Sequence, residues 1–135
     1  MIREIVNYIE DQIPAYALGD ILFSGFRGPN SPDRCITILE RTGATHDFYI
    51  PGKTEVPIQI MTRSTSYEEA RDDNHAVVGL FHGFDKAGIT LPTITSGVIY
   101  FIGAAELISG PAWLGQDERG RHEFTANILM QVQLN

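Results

Sequence analysis

Val56-Pro57-Ile58-Gln59-Ile60-Met61-Thr62-Arg63, closely followed by Ser66-Tyr67-Glu68-Glu69-Ala70, is the stretch that decides the fold. Val56, Ile58 and Ile60 alternate with Pro57, Gln59 and Met61, which predicts a strand with one apolar face. Pro57 has no amide hydrogen to give a ladder, so it places this strand near an edge or a strand start. The period then changes. Ser66 and Glu69 have the spacing of a capping box, in which the Ser66 hydroxyl accepts from the Glu69 amide and the Glu69 carboxylate reaches back to the Ser66 amide. Tyr67, Ala70, Asn74, Val77, Val78 and Phe81 fall on one helical face, and Gly83 supplies a C-terminal stop.

Upstream, Ile2, Ile5, Val6, Ile9 and Ile13 recur at helical spacing, with Arg3, Glu4, Asn7, Glu10 and Asp11 opposite and Pro14 as the stop. A membrane-surface helix carries a basic polar face; this one is acidic, so a core-facing helix is expected. Residues 21–23 form a brief strand and residues 35–40 a compact apolar one holding the single cysteine, Cys35, as a buried small side chain. Residues 24–32 are turn chemistry, and 41–53 a mobile loop or ragged hairpin. Downstream, residues 98–108 are β-prone. From His122 to Leu134 the even positions read His, Phe, Ala, Ile, Met, Val, Leu. Residues 109–120 join the two as a Gly/Pro-rich loop. At about 3.3 Å per residue the last strand runs on the order of 40 Å, long for a domain core of its own.

With 135 residues the chain is expected to be one domain, 1–135. Apolar residues at 43% and charged ones at 20% are ordinary for a globular protein. No run approaches the roughly 18 residues of a membrane span, and no basic-then-apolar leader opens the chain, so a cytosolic domain is expected. Seventeen acids against ten bases leave a net charge of −7, which argues against wrapping nucleic acid.

Catalytic signals are thin. His46-Asp47, Asp72-Asp73-Asn74-His75 and the pair His82 and Asp85 contain ligand-type residues, but none has the spacing of a metal motif. Asp72 and Asp73 read as the charged outer face of the helix. There is no phosphate-binding Gly-rich turn and no nucleophile elbow. No catalytic residue, metal or cofactor is expected. Trp113 reads either as a core anchor or as an interface anchor.

Two motifs carry a resemblance. The run Gln59-Ile60-Met61-Thr62-Arg63 with Ser66-Tyr67-Glu68-Glu69-Ala70 resembles the strand-to-helix signature of phage minor capsid and tail-terminator proteins of long-tailed phages. Gly115-Gln116-Asp117-Glu118-Arg119-Gly120-Arg121, with Asn127-Ile128 beyond it, is similar to that family's Gly-x-Asp-x-x-Gly-Arg loop and closing strand. The resemblance implies an α/β (α+β) fold, a mixed, mainly antiparallel twisted sheet with an N-terminal and a central helix packed on it and a long C-terminal hairpin. It also implies a non-enzymatic virion protein, made in the host cytoplasm. Such a protein forms a homo-oligomeric ring, typically hexameric, on the tail tube, stops tube growth and meets a head-side connector protein. Genome DNA passes through without specific binding. The competing readings are a neighbouring connector or tail-tube component and a small-molecule-binding enzyme domain using the His/Asp residues.

Under this reading the hairpin is expected to carry ring assembly. Its closing strand shows Thr125, Asn127, Gln131 and Gln133 on the polar face, interrupted by Leu129, with no lysine to deter edge pairing. The tip, from Trp113 to Arg121, adds Asp117, Glu118, Arg119 and Arg121 as complementary charges. Arg27, Arg34, Arg41 and Lys53, in or beside loops, are expected to make salt bridges between subunits or to a partner.

Overall fold

The computed structural model describes residues 1–25, 31–41, 45–46, 53–82 and 88–134. Helix α1 (Ile2–Gln12) leads into strands β1 (Leu22–Ser24), β2 (Cys35–Glu40), β3 (Thr45–His46) and β4 (Lys53–Ser64). Helix α2 (Tyr67–Phe81) follows, then β5 (Ile89–Thr90), β6 (Tyr100–Gln116) and β7 (His122–Leu134). The strands form one mixed sheet in the order β1-β2-β4-β7-β6-β5, with β3 pairing β4 beside the end of β2. Only the β1/β2 pair is parallel among the described pairs. The expected α+β class with its two helices and long hairpin is the fold observed.

Both helices lie on one face of the sheet. Ile5, Val6 and Ile9 of α1 and Val77, Val78 and Phe81 of α2 close over Ile36, Ile38, Ile58, Ile60, Ile128 and Met130. The alternation in β4 and β7 follows from this: directly opposed residues share a face, and Ile38, Ile60 and Ala126 sit in one such row. The opposite face carries Leu39, Gln59, Asn127 and Ser109 in one row and Pro57, Leu129 and Glu106 in the next.

The passage from β4 to α2 is tied by side chains. Ser66 Oγ accepts from the Glu69 amide at 3.3 Å, as the capping box requires. The return half differs: Ser64 Oγ donates to Glu69 Oε1 at 2.6 Å and itself accepts from the Ser66 amide, so Ser64 stands between the box partners. Thr62 Oγ1 donates to the Ala70 carbonyl and Asn74 Nδ2 to the Ile60 carbonyl, which explains two buried polar residues on the apolar face. The helix ends at Phe81 with His82 as its cap; Gly83 lies outside the described residues.

Three expectations need correction. The strand predicted to stop at residue 108 continues to Gln116, so most of the predicted 109–120 loop is strand. β7 offers no edge, because it pairs with β4 on one side and β6 on the other over its whole length. Pro57 is interior to β4: its carbonyl accepts from the Arg41 amide, so its missing amide hydrogen faces the end of β2 rather than β7. Of the 41–53 loop, Thr45–His46 pairs with β4 and Lys53 opens that strand; the remainder beyond Arg41 lies outside the described residues.

Candidate subunit or partner interface

The hairpin is asymmetric. The seventeen residues of β6 lie against thirteen of β7, and four irregularities take up the difference. They fall between Ile102 and Ala104, Leu107 and Ser109, Ser109 and Ala112, and Trp113 and Gly115. The extra residues at three of them are Gly103, Ile108 and Leu114, and the other contains Gly110-Pro111, a cis peptide. A bulge re-aims its side chain and increases local twist. Here it leaves Ile108 58% and Leu114 55% exposed. Among the described residues, four of the seven exposed large apolar side chains (Phe101, Ile108, Trp113 and Leu114) belong to β6.

On its side away from β7 that strand has little described pairing. β5 pairs only with Phe101 and Ile102, leaving the rest of the outer edge of β6 without a described strand. On the outer sheet face Ile108, Pro57 and Leu129, with Arg41 and Asn127, line a depression of ≈ 210 Å³. Arg41 Nη1 donates to Asn127 Oδ1 at 2.9 Å, and Asn127 Nδ2 donates to Ser109 Oγ at 2.8 Å. At the far end of the strand, Trp113 packs edge-on against Tyr67 with ring centroids 6.1 Å apart. Tyr67 also meets Phe124 at 5.0 Å and His122 at 5.5 Å. Trp113 is therefore neither a core residue nor a loop residue; it pins the hairpin end to the start of α2 while half its surface faces outward.

The Gly-x-Asp-x-x-Gly-Arg turn closes on itself. Asp117 Oδ1 accepts from the amides of Arg119 and Arg121 at 3.0 and 2.9 Å, and Oδ2 from Arg121 Nε at 2.7 Å. Burial pushes the Asp117 carboxyl up, but the hydrogen bonds from Arg121 and Arg119 outweigh it and hold the carboxyl below the usual carboxylate range. Burial pushes the Arg121 guanidinium down, and the bond it donates to Asp117 reverses that too. Arg121 Nη1 extends to Asp33 at 3.4 Å. Asp117 and Arg121 thus shape the turn, while Glu118 and Arg119 stand exposed on it.

The remaining sequence candidates disperse. Arg34 is engaged within the chain, clamping Asp73 through Nε and Nη2 at 3.0 and 2.9 Å. Tyr16 donates to Asp73 Oδ1 at 2.8 Å. The bond to Asp73 holds the Arg34 guanidinium above its ordinary range, and burial followed by the Asp73 bond holds the Tyr16 hydroxyl above its own. Asp73 is consequently 2% exposed, a correction to its expected place on the solvated helix face. Its spacing gave the signal: three residues after Ala70 and four before Val77, it lies on the apolar stripe. Arg63 is also buried, donating to Ser31 Oγ and to the carbonyls of Pro32 and Asp33. Gln59 Nε2 donates to Thr125 Oγ1. Gln131 is exposed on β7, opposite Glu55 and Ala104, and Lys53 stands opposite Gln133. His82 Nδ1 accepts from the Leu107 amide, and His75 is exposed. Arg27, Asp47 and Asp85 lie outside the described residues. Among the described residues no three His, Cys, Asp or Glu side chains come together as a metal site would need.

Fold and surface define a class: a single-sheet α+β protein, backed by two helices, in which four of the seven exposed large apolar side chains among the described residues lie on one bulged strand. The sequence model of the bacteriophage tail terminator protein family matches residues 18–134, and the chain belongs to that family. The match makes it a structural component of the phage tail, and hence of the virion. No curated protein matches the chain significantly. Among the described residues no helix is long and apolar enough to cross a membrane.

Proposed function

We propose that the protein is the tail terminator proper: copies assemble as a hexameric ring on the finished tail tube, stop its polymerisation and offer the surface to which the head-side connector joins. Its role is mechanical, without catalysis or cofactor. The observation that carries this reading is strand β6, where Ile108, Trp113 and Leu114 stand exposed and, among the described strands, only the two residues of β5 pair on the side away from β7. A single chain gains nothing from leaving three large apolar side chains in water, whereas an assembly that covers them gains about 25 cal/mol for each Å² removed. The net charge of −7 repels phosphate, which suits a lumen through which DNA moves without binding.

Negative-stain imaging of the purified protein mixed with its tail-tube protein tests the reading. The expected result is a ring on tube ends and an arrest of further elongation. Tubes that keep growing with bare ends would overturn it.

A further inference from the structure

On the reading that the protein assembles with itself, the geometry points to a specific head-to-tail contact. We propose that the hairpin end carrying Leu114 and Glu118 seats in the depression formed by Arg41, Pro57, Ile108 and Leu129 on a second copy. Three observations lead there.

The first is charge. In a chain of net charge −7 the seventeen residues of β6 hold one charged side chain, Glu106. Two like-charged copies approach most easily where each carries least charge. The second is the irregularity of the strand. Irregularities after Ile102, Leu107, Ser109 and Trp113 break the ladder so often that residues 104–107 are the longest regular run, and Pro111 removes an amide hydrogen. Bulges and proline are the devices that blunt an edge against strand addition. Contact through backbone pairing is therefore disfavoured, and contact through side chains remains.

The third is complementarity between two separate places. One end of β6 presents an apolar knob, Leu114 at 55% exposure, with the carboxylate of Glu118 on the adjoining turn. The outer face beside Ile108 presents an apolar depression with the cation Arg41 on its rim. The two lie six residues apart along the strand, on the order of 20 Å at ~3.3 Å per residue, so they are distinct surfaces. A knob on one copy and a hollow on the next make a heterologous contact, which repeats until the rotation closes a ring.

The test is native mass spectrometry of the full chain, alone and with its tail-tube protein. It compares wild type with Leu114→Lys, Ile108→Lys, Arg41→Glu, Glu118→Arg and the Arg41→Glu/Glu118→Arg pair. All four positions are exposed, and circular dichroism checks that each variant is folded. The expected result is at least about a tenfold loss of association for each single variant and recovery in the charge-exchanged pair. An assembling wild type whose Leu114→Lys and Ile108→Lys variants assemble equally well would overturn this contact alone. So would equal loss in the single charge variants and in the pair. A wild type that stays monomeric in both settings would overturn the assembly reading, and this contact with it.

Discussion

β6 and β7 are partners in one hairpin, yet they answer to different constraints. β7 is held between two neighbours over its full length, so its side chains must alternate between the helix-covered core and the outer face. From Phe124 to Val132 every even position is buried. β6 has one full partner and, among the described strands, only the two residues of β5 on its other side, and it accommodates four extra residues. A strand fixed on both sides is legible as a period of two. A strand fixed on one side can absorb insertions, and each insertion reverses the faces that follow it.

Substitution at neighbouring isoleucines gives the largest contrast. Ile128→Ala, in the centre of β7, opens a cavity between β4, β6 and α2 and is expected to cost about 2–5 kcal/mol. Ile108→Ala, on the adjacent strand, removes a side chain that is 58% exposed and is expected to change stability by no more than about 0.5 kcal/mol. Urea denaturation midpoints measure both, and equal effects would break the comparison.

Within β6 the bulges themselves differ. Gly110 has φ +88, and a β-carbon there would run into the carbonyl oxygen of Thr125. Gly110→Ala is expected to cost about 1–3 kcal/mol, since it combines left-handed backbone with a backbone collision. At Gly103 an added methyl would meet the Gln131 carbonyl at 3.9 Å, ordinary contact, so Gly103→Ala should be close to neutral. A reversed order in thermal midpoints would mean that the bulge containing Gly110 is not fixed as described.

The turn joining the strands gives a smaller effect, and one that depends on pH. The Asp117 carboxyl is held below the usual range in the folded chain. Its stabilising contribution is complete above its unfolded pKa of about 4 and is lost as pH falls through the lowered folded value. Asp117→Asn should therefore lower stability by less than about 1 kcal/mol near pH 7 and have no further effect once the wild-type carboxyl is protonated. Chemical denaturation of both proteins across pH 2–7 reads this directly.

The sequence made the doubly supported parts readable: α1, β2, the alternation of β4, the Ser66 cap of α2, and β7. It hid β6 because Gly110-Pro111 and Gly115 are turn residues on local rules, and only pairing with β7 turns them into strand interruptions. Asp73 was misplaced for a related reason. As a residue type it belongs in water, but Tyr16 and Arg34, 57 and 39 positions away in sequence, bring the partners that allow its burial. For the proposed contact the sequence marks an element and not its side chains. Asp117 and Arg121, read as interface charges, bond to each other in the turn, and the exposed Ile108 and Leu114 fall in the predicted strand end and loop.

Amide hydrogen exchange followed by mass spectrometry, comparing the free chain with the chain assembled on its tail-tube protein, tests most directly the claim that β6 is the assembly surface. New protection is expected over residues 106–118 and around Arg41 and Pro57, with little change over residues 124–132, which are already paired on both sides. Protection gained on the outer face of α2 with none in β6 would contradict it.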